Sequence, residues 1–316
     1  MPPVPARRHG IPVYAYLDVL GLPIEMLRWV ELKHPEWVLR RSDGRPARYW
    51  FGRNFMCNIA AEGYRKYIIS KAKELVERGF SGVFLDDVVT DPDRLEHPLY
   101  ERPVYDRDKY GPWRRHIVSL FRELREAGIS IIYNAGWSPP DPQLMLYADG
   151  VLLESHPCSW RGSPKNPSYY LRDWKEVLKV SLAAHNYFRS GKTVIALSYG
   201  DDERMAYYSF ALARIFGFHF WLSVPNLDRI VEHPVMEVRL GAPRMPFGVK
   251  KGVYYRFYER GLVVLNPHAS SATVTFRVPW SRLVTPKGRV FKPLRGTLVL
   301  TVAGRSGMVL LAKEGP

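Results

Sequence analysis

The line Gly82-Val83-Phe84-Leu85-Asp86-Asp87 returns later in the chain as Gly150-Val151-Leu152-Leu153-Glu154-Ser155. Each is a short apolar run opened by glycine and closed, four residues on, by a carboxylate. A strand buried on both faces reads as such a run bounded by breakers, and buried strands of this kind belong to parallel sheets. In α/β barrels the functional groups gather at the carboxyl ends of the strands. Two strands of one register, each ending in an acid, therefore point to an α/β barrel that delivers Asp86 and Glu154 to one mouth.

Working outward, the neighbouring stretches keep the same grammar. Ile11 to Asp18 is an apolar run ending in an acid, and Ile129 to Asn134 is another ending in an amide. Thr193 to Ser198 leads into Tyr199-Gly200-Asp201-Asp202, and Phe218 to Val224 is a last strand. Between them the spacing predicts helices over Glu62 to Arg78, Trp113 to Ala127, Tyr169 to Phe188 and Glu203 to Phe216. The first three stop at or near Gly79, Gly128 and Gly191, as helices commonly stop at glycine. Weak strand signals near Trp37 to Arg40 and Phe51 to Asn58 bring the count to about eight, which predicts a (β/α)8 barrel over residues 1–246. The long polar loop from Thr90 to Pro112 and the turn-rich stretch Ser155 to Pro167 are candidates for functional loops. After about Gly248 the pattern changes to period-two alternation, as in Val253-Tyr255-Phe257 and Leu298-Leu300-Val302, which predicts a small antiparallel β-sandwich over residues 247–316.

Composition limits the remaining possibilities. The 316 residues are 46% hydrophobic and 24% charged, ordinary for a globular protein with a large core. No run is long and apolar enough for a membrane span, and the opening Met1-Pro2-Pro3-Val4 has no apolar signal core. The chain as it stands reads as cytoplasmic, or as secreted if a signal peptide has been removed. Two cysteines, Cys57 and Cys158, exclude a disulfide framework and leave either one bridge or two buried thiols. A net charge of +15 fits a nucleic acid, an acidic polymer or a solvated surface. No helix-turn-helix, zinc-finger or RNA-binding signature accompanies it, so no nucleic-acid partner is expected. A single glutamine, Gln143, beside 26 prolines is compatible with a thermophile.

The chemistry rests on the strand-end acids. Alternation along the strand turns Asp86 and Asp87 to opposite sides, and Asp86 is the one in register with Glu154. Paired carboxylates across a concave site are the equipment of glycoside hydrolysis, one as ionised nucleophile and one as proton donor. Asp86 suits the first role and Glu154, with its longer reach, the second; both could instead cap loops or pair with arginines. Asp18 could meet a sugar hydroxyl or anchor a loop, and Asp201 or Asp202 could be a third acid or a helix cap. Asn134, Trp137 and His156 lie within three residues of predicted strand ends. Together with Asp87, Tyr199, Trp50 and Trp160 they make up the candidate sugar contacts, the tryptophans offering flat faces for stacking. Tyr14 and Tyr16 read as core. Neither a calcium loop, a zinc motif nor a phosphate-cradling glycine loop is present, so no metal or cofactor is expected.

The run Pro35-Glu36-Trp37-Val38-Leu39-Arg40, then Asp43-Gly44, then Gly79-Phe80-Ser81-Gly82-Val83-Phe84-Leu85-Asp86-Asp87-Val88, resembles the glycosyl hydrolase-like barrels of many bacterial and archaeal sequences. These are distant relatives of alpha-galactosidase-like and alpha-amylase-like enzymes. The resemblance spans about residues 11–225 and departs at Ser81, where relatives usually carry aspartate. It implies a (β/α)8 barrel that cleaves O-glycosidic bonds of an oligo- or polysaccharide, with Asp86 as nucleophile, Glu154 as acid/base and a C-terminal sandwich. The expected partner is a carbohydrate, and the charge permits an acidic glycan. The alternatives are a noncatalytic carbohydrate-binding barrel and a basic protein that binds nucleic acid or an acidic polymer.

Overall fold

The computed structural model describes residues 10–49, 52–91, 100–225 and 231–313. Trp50 and residues 92–99 of the long loop lie outside them. The chain divides into two compact units, residues 1–135 with 140–151 and residues 136–139 with 152–316.

The first unit runs β1 (Tyr14–Asp18), β2 (Gly21–Pro23), α1 (Leu27–Lys33), β3 (Arg48–Tyr49), β4 (Asn54–Met56), α2 (Glu62–Glu77), β5 (Gly82–Asp86), α3 (Arg107–Tyr110), α4 (Trp113–Glu126), β6 (Ile131–Asn134) and α5 (Pro142–Met145), and reaches into β7 (Gly150–Leu153). β1, β5 and β6 are parallel, with Asp18 paired to Asp86 and Leu85 to Tyr133. The side chains of β5 split by parity: Val83 and Leu85 are fully buried, whereas Phe84 and Asp86 are half-buried. α2 buries Tyr64, Ile68 and Ala72, spaced four apart on one stripe.

The two weak strand signals correct the eight-strand count. Among the described residues the parallel sheet has six strands, ordered β1-β5-β6-β7-β10-β11 once the later strands are included. Trp37 closes a 3-10 turn, and Asn54–Met56 joins a separate antiparallel sheet ordered β2-β4-β3. The chain reverses directly after β1, because the Asp18 carboxylate accepts the N–H groups of Leu20 and Gly21, and β2 then pairs antiparallel with β4. Gly21 is required there, since a Cβ would stand 2.1 Å from the Phe55 carbonyl oxygen.

The second unit continues with β8 (Cys158–Ser163), β9 (Asn166–Leu171), α6 (Trp174–Arg189), β10 (Thr193–Tyr199), α7 (Glu203–Phe216) and β11 (His219–Ser223). The predicted helix from Tyr169 starts later, because Asn166–Leu171 is spent on a hairpin and Asp173 caps α6 at Lys175 and Glu176. All four long helices close alike. The N–H of Gly79, Gly128, Gly191 or Gly217 reaches a carbonyl three residues back, and the next N–H reaches one five back. Each glycine has φ between 75° and 105°, the left-handed conformation this closure needs.

The tail of the second unit is β12 (Gly248–Lys250), β13 (Val253–Tyr258), β14 (Gly261–Asn266), β15 (Ala272–Arg277), β16 (Leu283–Val284), β17 (Val290–Phe291), β18 (Thr297–Val302) and β19 (Ser306–Ala312). A six-stranded and a two-stranded antiparallel sheet share one apolar core, including Leu262, Val264, Phe276, Leu300 and Leu310. β14 is buried on both faces, its second face lying toward α7. At Gly307 a Cβ would meet the Tyr207 carbonyl at 2.2 Å, so only glycine lets β19 approach α7. Arg256, itself buried, donates to the Ile215 carbonyl at 3.0 Å at the end of that helix. Arg at a helix C-terminus satisfies the last carbonyls and opposes the helix dipole.

Candidate active site

In the first unit the parallel register sets the carboxylates of Asp18 and Asp86 side by side at adjacent strand ends. Asp86 Oδ2 accepts the Tyr16 hydroxyl at 2.9 Å. Its Oδ1 accepts the Asn134 amide and the Asp87 backbone N–H, both at 2.9 Å. Asn134 comes from the end of β6, so Asp86 is gripped from the strands on both sides. Tyr16, expected as core, is 60% exposed and serves this carboxylate instead.

Asp18 is surrounded by four donors. Oδ2 accepts the Tyr49 hydroxyl at 2.5 Å and the Asn54 amide at 3.3 Å, and Oδ1 accepts Leu20 and Gly21. Burial pushes this carboxyl up to about 7, helped by the charge of Asp87 and opposed by the Tyr49 and Leu20 hydrogen bonds. With its oxygens committed inward, Asp18 holds the reversal after β1, the loop-anchoring alternative of the sequence reading. Asp87 Oδ1 accepts the Tyr100 hydroxyl at 2.5 Å, and the rings of Tyr49 and Tyr100 stack with centroids 5.4 Å apart. Burial and the neighbouring carboxylates push both phenols upward, so they stay neutral donors. Three acids thus receive one tyrosine hydroxyl each. None of the three tyrosines was expected from sequence to serve an acid, and Tyr16 was read as core, because each partner lies 13 to 70 residues away from its acid.

In the second unit Glu154 follows β7, its N–H bonded to the Gly136 carbonyl at 2.9 Å. Its Oε1 accepts the hydroxyl of Tyr199, the last residue of β10, at 2.7 Å. Trp160 on β8 meets the Tyr199 ring edge-on at 6.3 Å. Trp137 is 54% exposed with the Arg172 guanidinium 5.0 Å from its ring centre, a cation–π contact that the sequence reading missed. Asp201 is exposed, and Asp202 accepts the Met205 N–H at 2.7 Å as the cap of α7. His156 corrects an expectation: its ring is 2% exposed and pairs with Ser181, and burial pushes it down to about 3. It packs the strand end as a neutral imidazole and offers no face to a sugar. Cys57 and Cys158 are buried free thiols.

Both acids are followed by a residue in the left-handed conformation, Asp87 with φ 51° and Ser155 with φ 56°. Neither is glycine, so both turns hold strain of about 1–3 kcal/mol, of the kind that gathers at functional sites. No sequence signal announced it.

A family model described as hypothetical glycosyl hydrolase family 15 matches residues 23–262. The chain belongs to that family. Membership of hypothetical glycosyl hydrolase family 15 supports carbohydrate hydrolysis as the general class of activity. Solved structures agree on the fold. The glycoside hydrolase domain of PelA from Pseudomonas aeruginosa is similar with a TM-score of 0.51 and 20% identity, over 71% of this chain and 82% of that one. A noncanonic maltogenic alpha-amylase, AmyB from Thermotoga neapolitana, is similar at 0.55 and 13%, over 98% and 79%. Abp-WT, a GH27 beta-L-arabinopyranosidase from Geobacillus stearothermophilus, is similar at 0.54 and 11%, over 98% and 76%. No curated protein matches the family 15 chain significantly. None of its described helices is long and apolar enough to cross a membrane.

Proposed function

We propose that the protein is a retaining glycosidase acting on O-glycosidic bonds of an oligo- or polysaccharide, with Asp86 as nucleophile and Glu154 as acid/base. The observation that carries this reading is the grip on Asp86: a phenol on one oxygen, an amide and a backbone N–H on the other. Donors arranged in this way suit an ionised carboxylate that must attack and later leave. Glu154 gives its proton to the glycosidic oxygen as Asp86 attacks the anomeric carbon. The bond to the leaving oxygen breaks and a glycosyl ester forms. Glu154, now a carboxylate, takes a proton from water as that water attacks the same carbon; the ester breaks and both acids return to their starting states.

Asp18 and Asp87 hold Tyr49 and Tyr100 beside the nucleophile, while Trp137, Trp160, Tyr199 and Asp201 meet the sugar. The same reading assigns residues 1–246 to a closed (β/α)8 catalytic barrel and 247–316 to a β-sandwich; the parallel strands and the glycoside hydrolase neighbours support it. The test is hydrolysis followed by NMR of the fresh product. Retained anomeric configuration, lost in both Asp86→Asn and Glu154→Gln, is expected. Inverted product, or wild-type turnover in either variant, would sink the assignment.

A further inference from the structure

We infer that the β8–β9 hairpin is a sugar-binding arm that carries the substrate chain away from Glu154, so that the enzyme acts on chains of several sugars. This rests on the assignment of Glu154 as acid/base. The hairpin register pairs Trp160 with Tyr169 and Gly162 with Pro167, and directly opposed residues of an antiparallel pair share a face. One face therefore carries Trp160, Tyr169 and Pro167, all half-buried. The other carries Arg161, Ser163, Asn166, Ser168 and Tyr170, all exposed, with Ser159 buried at its base.

The half-buried face begins at the candidate acid. Trp160 lies against Tyr199, and Tyr199 donates to Glu154. Farther out, a cavity of about 280 Å³ is bounded by Tyr169, Pro167 and the hairpin turn from Pro164 to Asn166, with Asp201 and Val224. Two residues along one face of a strand advance about 7 Å, on the scale of one hexose unit. The surface thus repeats the ingredients of a sugar subsite: an aromatic wall for the C–H face of a ring, with charged groups at the rim for its hydroxyls. Gly162 keeps this face bare, since its φ of +95° favours glycine and a Cβ would stand 2.9 Å from the Asn166 carbonyl.

The experiment uses neutral gluco-oligosaccharide, amino-sugar and uronate ladders of two to eight units, with kcat/KM measured for the full chain. For the ladder that is cleaved, kcat/KM should rise about tenfold between the shortest and longest members, the size expected for one stacked ring. Tyr169→Ala should collapse that long-to-short ratio several-fold. Lys165→Ala, at an exposed position, should lower it by a smaller factor and serves as the readout if Tyr169→Ala does not fold. Rates independent of chain length, or a length dependence that survives both variants in folded protein, would overturn the inference while leaving the glycosidase reading standing. Wild type cleaving no member, or Glu154→Gln cleaving as fast as wild type, would overturn both.

Discussion

Asp86 and Glu154 close stretches that read alike and each accepts a tyrosine hydroxyl, but Asp86 holds two further donors on its other oxygen. The backbone N–H on Asp86 can only donate, and the Asn134 amide is oriented to donate. Those partners match a carboxylate that stays anionic. Glu154 is met by a phenol, and a phenol donates to a carboxylate or accepts from a carboxylic acid. In the proposed mechanism such a partner suits an acid/base, since it serves both protonation states. Under the proposed roles, the two extra donors on Asp86 are what would set it apart as the group that stays ionised.

The largest effect expected from breaking this contrast is in turnover. Asp86→Asn should lower kcat by at least about 10^4-fold, the scale of removing a nucleophile. Glu154→Gln should cost about 10^2–10^4-fold on a natural glycoside and much less on a dinitrophenyl glycoside, whose leaving group needs no proton. Equal losses of both variants on the two substrates would erase the distinction.

The next effect is on stability. Asp18 is raised in the folded chain from 3.8 to about 7, so between these values the native state binds more protons than the unfolded one. Stability from this group is fully present below about pH 4 and declines as pH rises through 7, by at most about 4 kcal/mol. Asp18→Asn removes the titration, so the wild-type advantage over the variant should shrink from pH 4 to pH 8 in denaturant melts. Parallel curves would argue against the raised value.

A smaller change tests the grip itself. Tyr16→Phe removes one hydrogen bond to a charged group, worth about 1.5–3 kcal/mol, and should lower kcat about 10- to 100-fold. Tyr199→Phe should instead move a limb of the pH–rate profile. If each variant gives the other's signature, the roles are reversed. Smallest of all, Ser155→Gly should relax the left-handed turn and stabilise the chain by about 1 kcal/mol or less while slowing turnover. A destabilised Ser155→Gly would show that the turn holds no strain.

The sequence made the strands at Val83 and Val151 legible because one face is fully buried and the other half-buried, which keeps both apolar, and the helix ends legible because the closing turn needs glycine at 79, 128 and 191. The C-terminal antiparallel sheets were legible through their period of two. The segment from Gly21 to Met56 misled: short strands of a small antiparallel sheet carry the same weak signal as barrel strands, and only the pairing tells them apart. The β8–β9 hairpin was read as a loop to Pro167 and a helix from Tyr169, because Gly162, Pro164 and Pro167 break the strand pattern. The tyrosine partners of the acids depend on contacts far apart in sequence, which periodicity does not report.

The parity of β5 bears on how such a protein can change. Val83 and Leu85 lie wholly inside, so truncating either would leave a cavity costing about 2 kcal/mol or more. Phe84, on the alternate face and only half covered, has more latitude in size and shape. Substitutions at Phe84 should therefore cost the fold less than truncations at Val83 or Leu85. A lineage carrying this strand could thus vary one side of it residue by residue while the other side holds its thermal tolerance nearly constant.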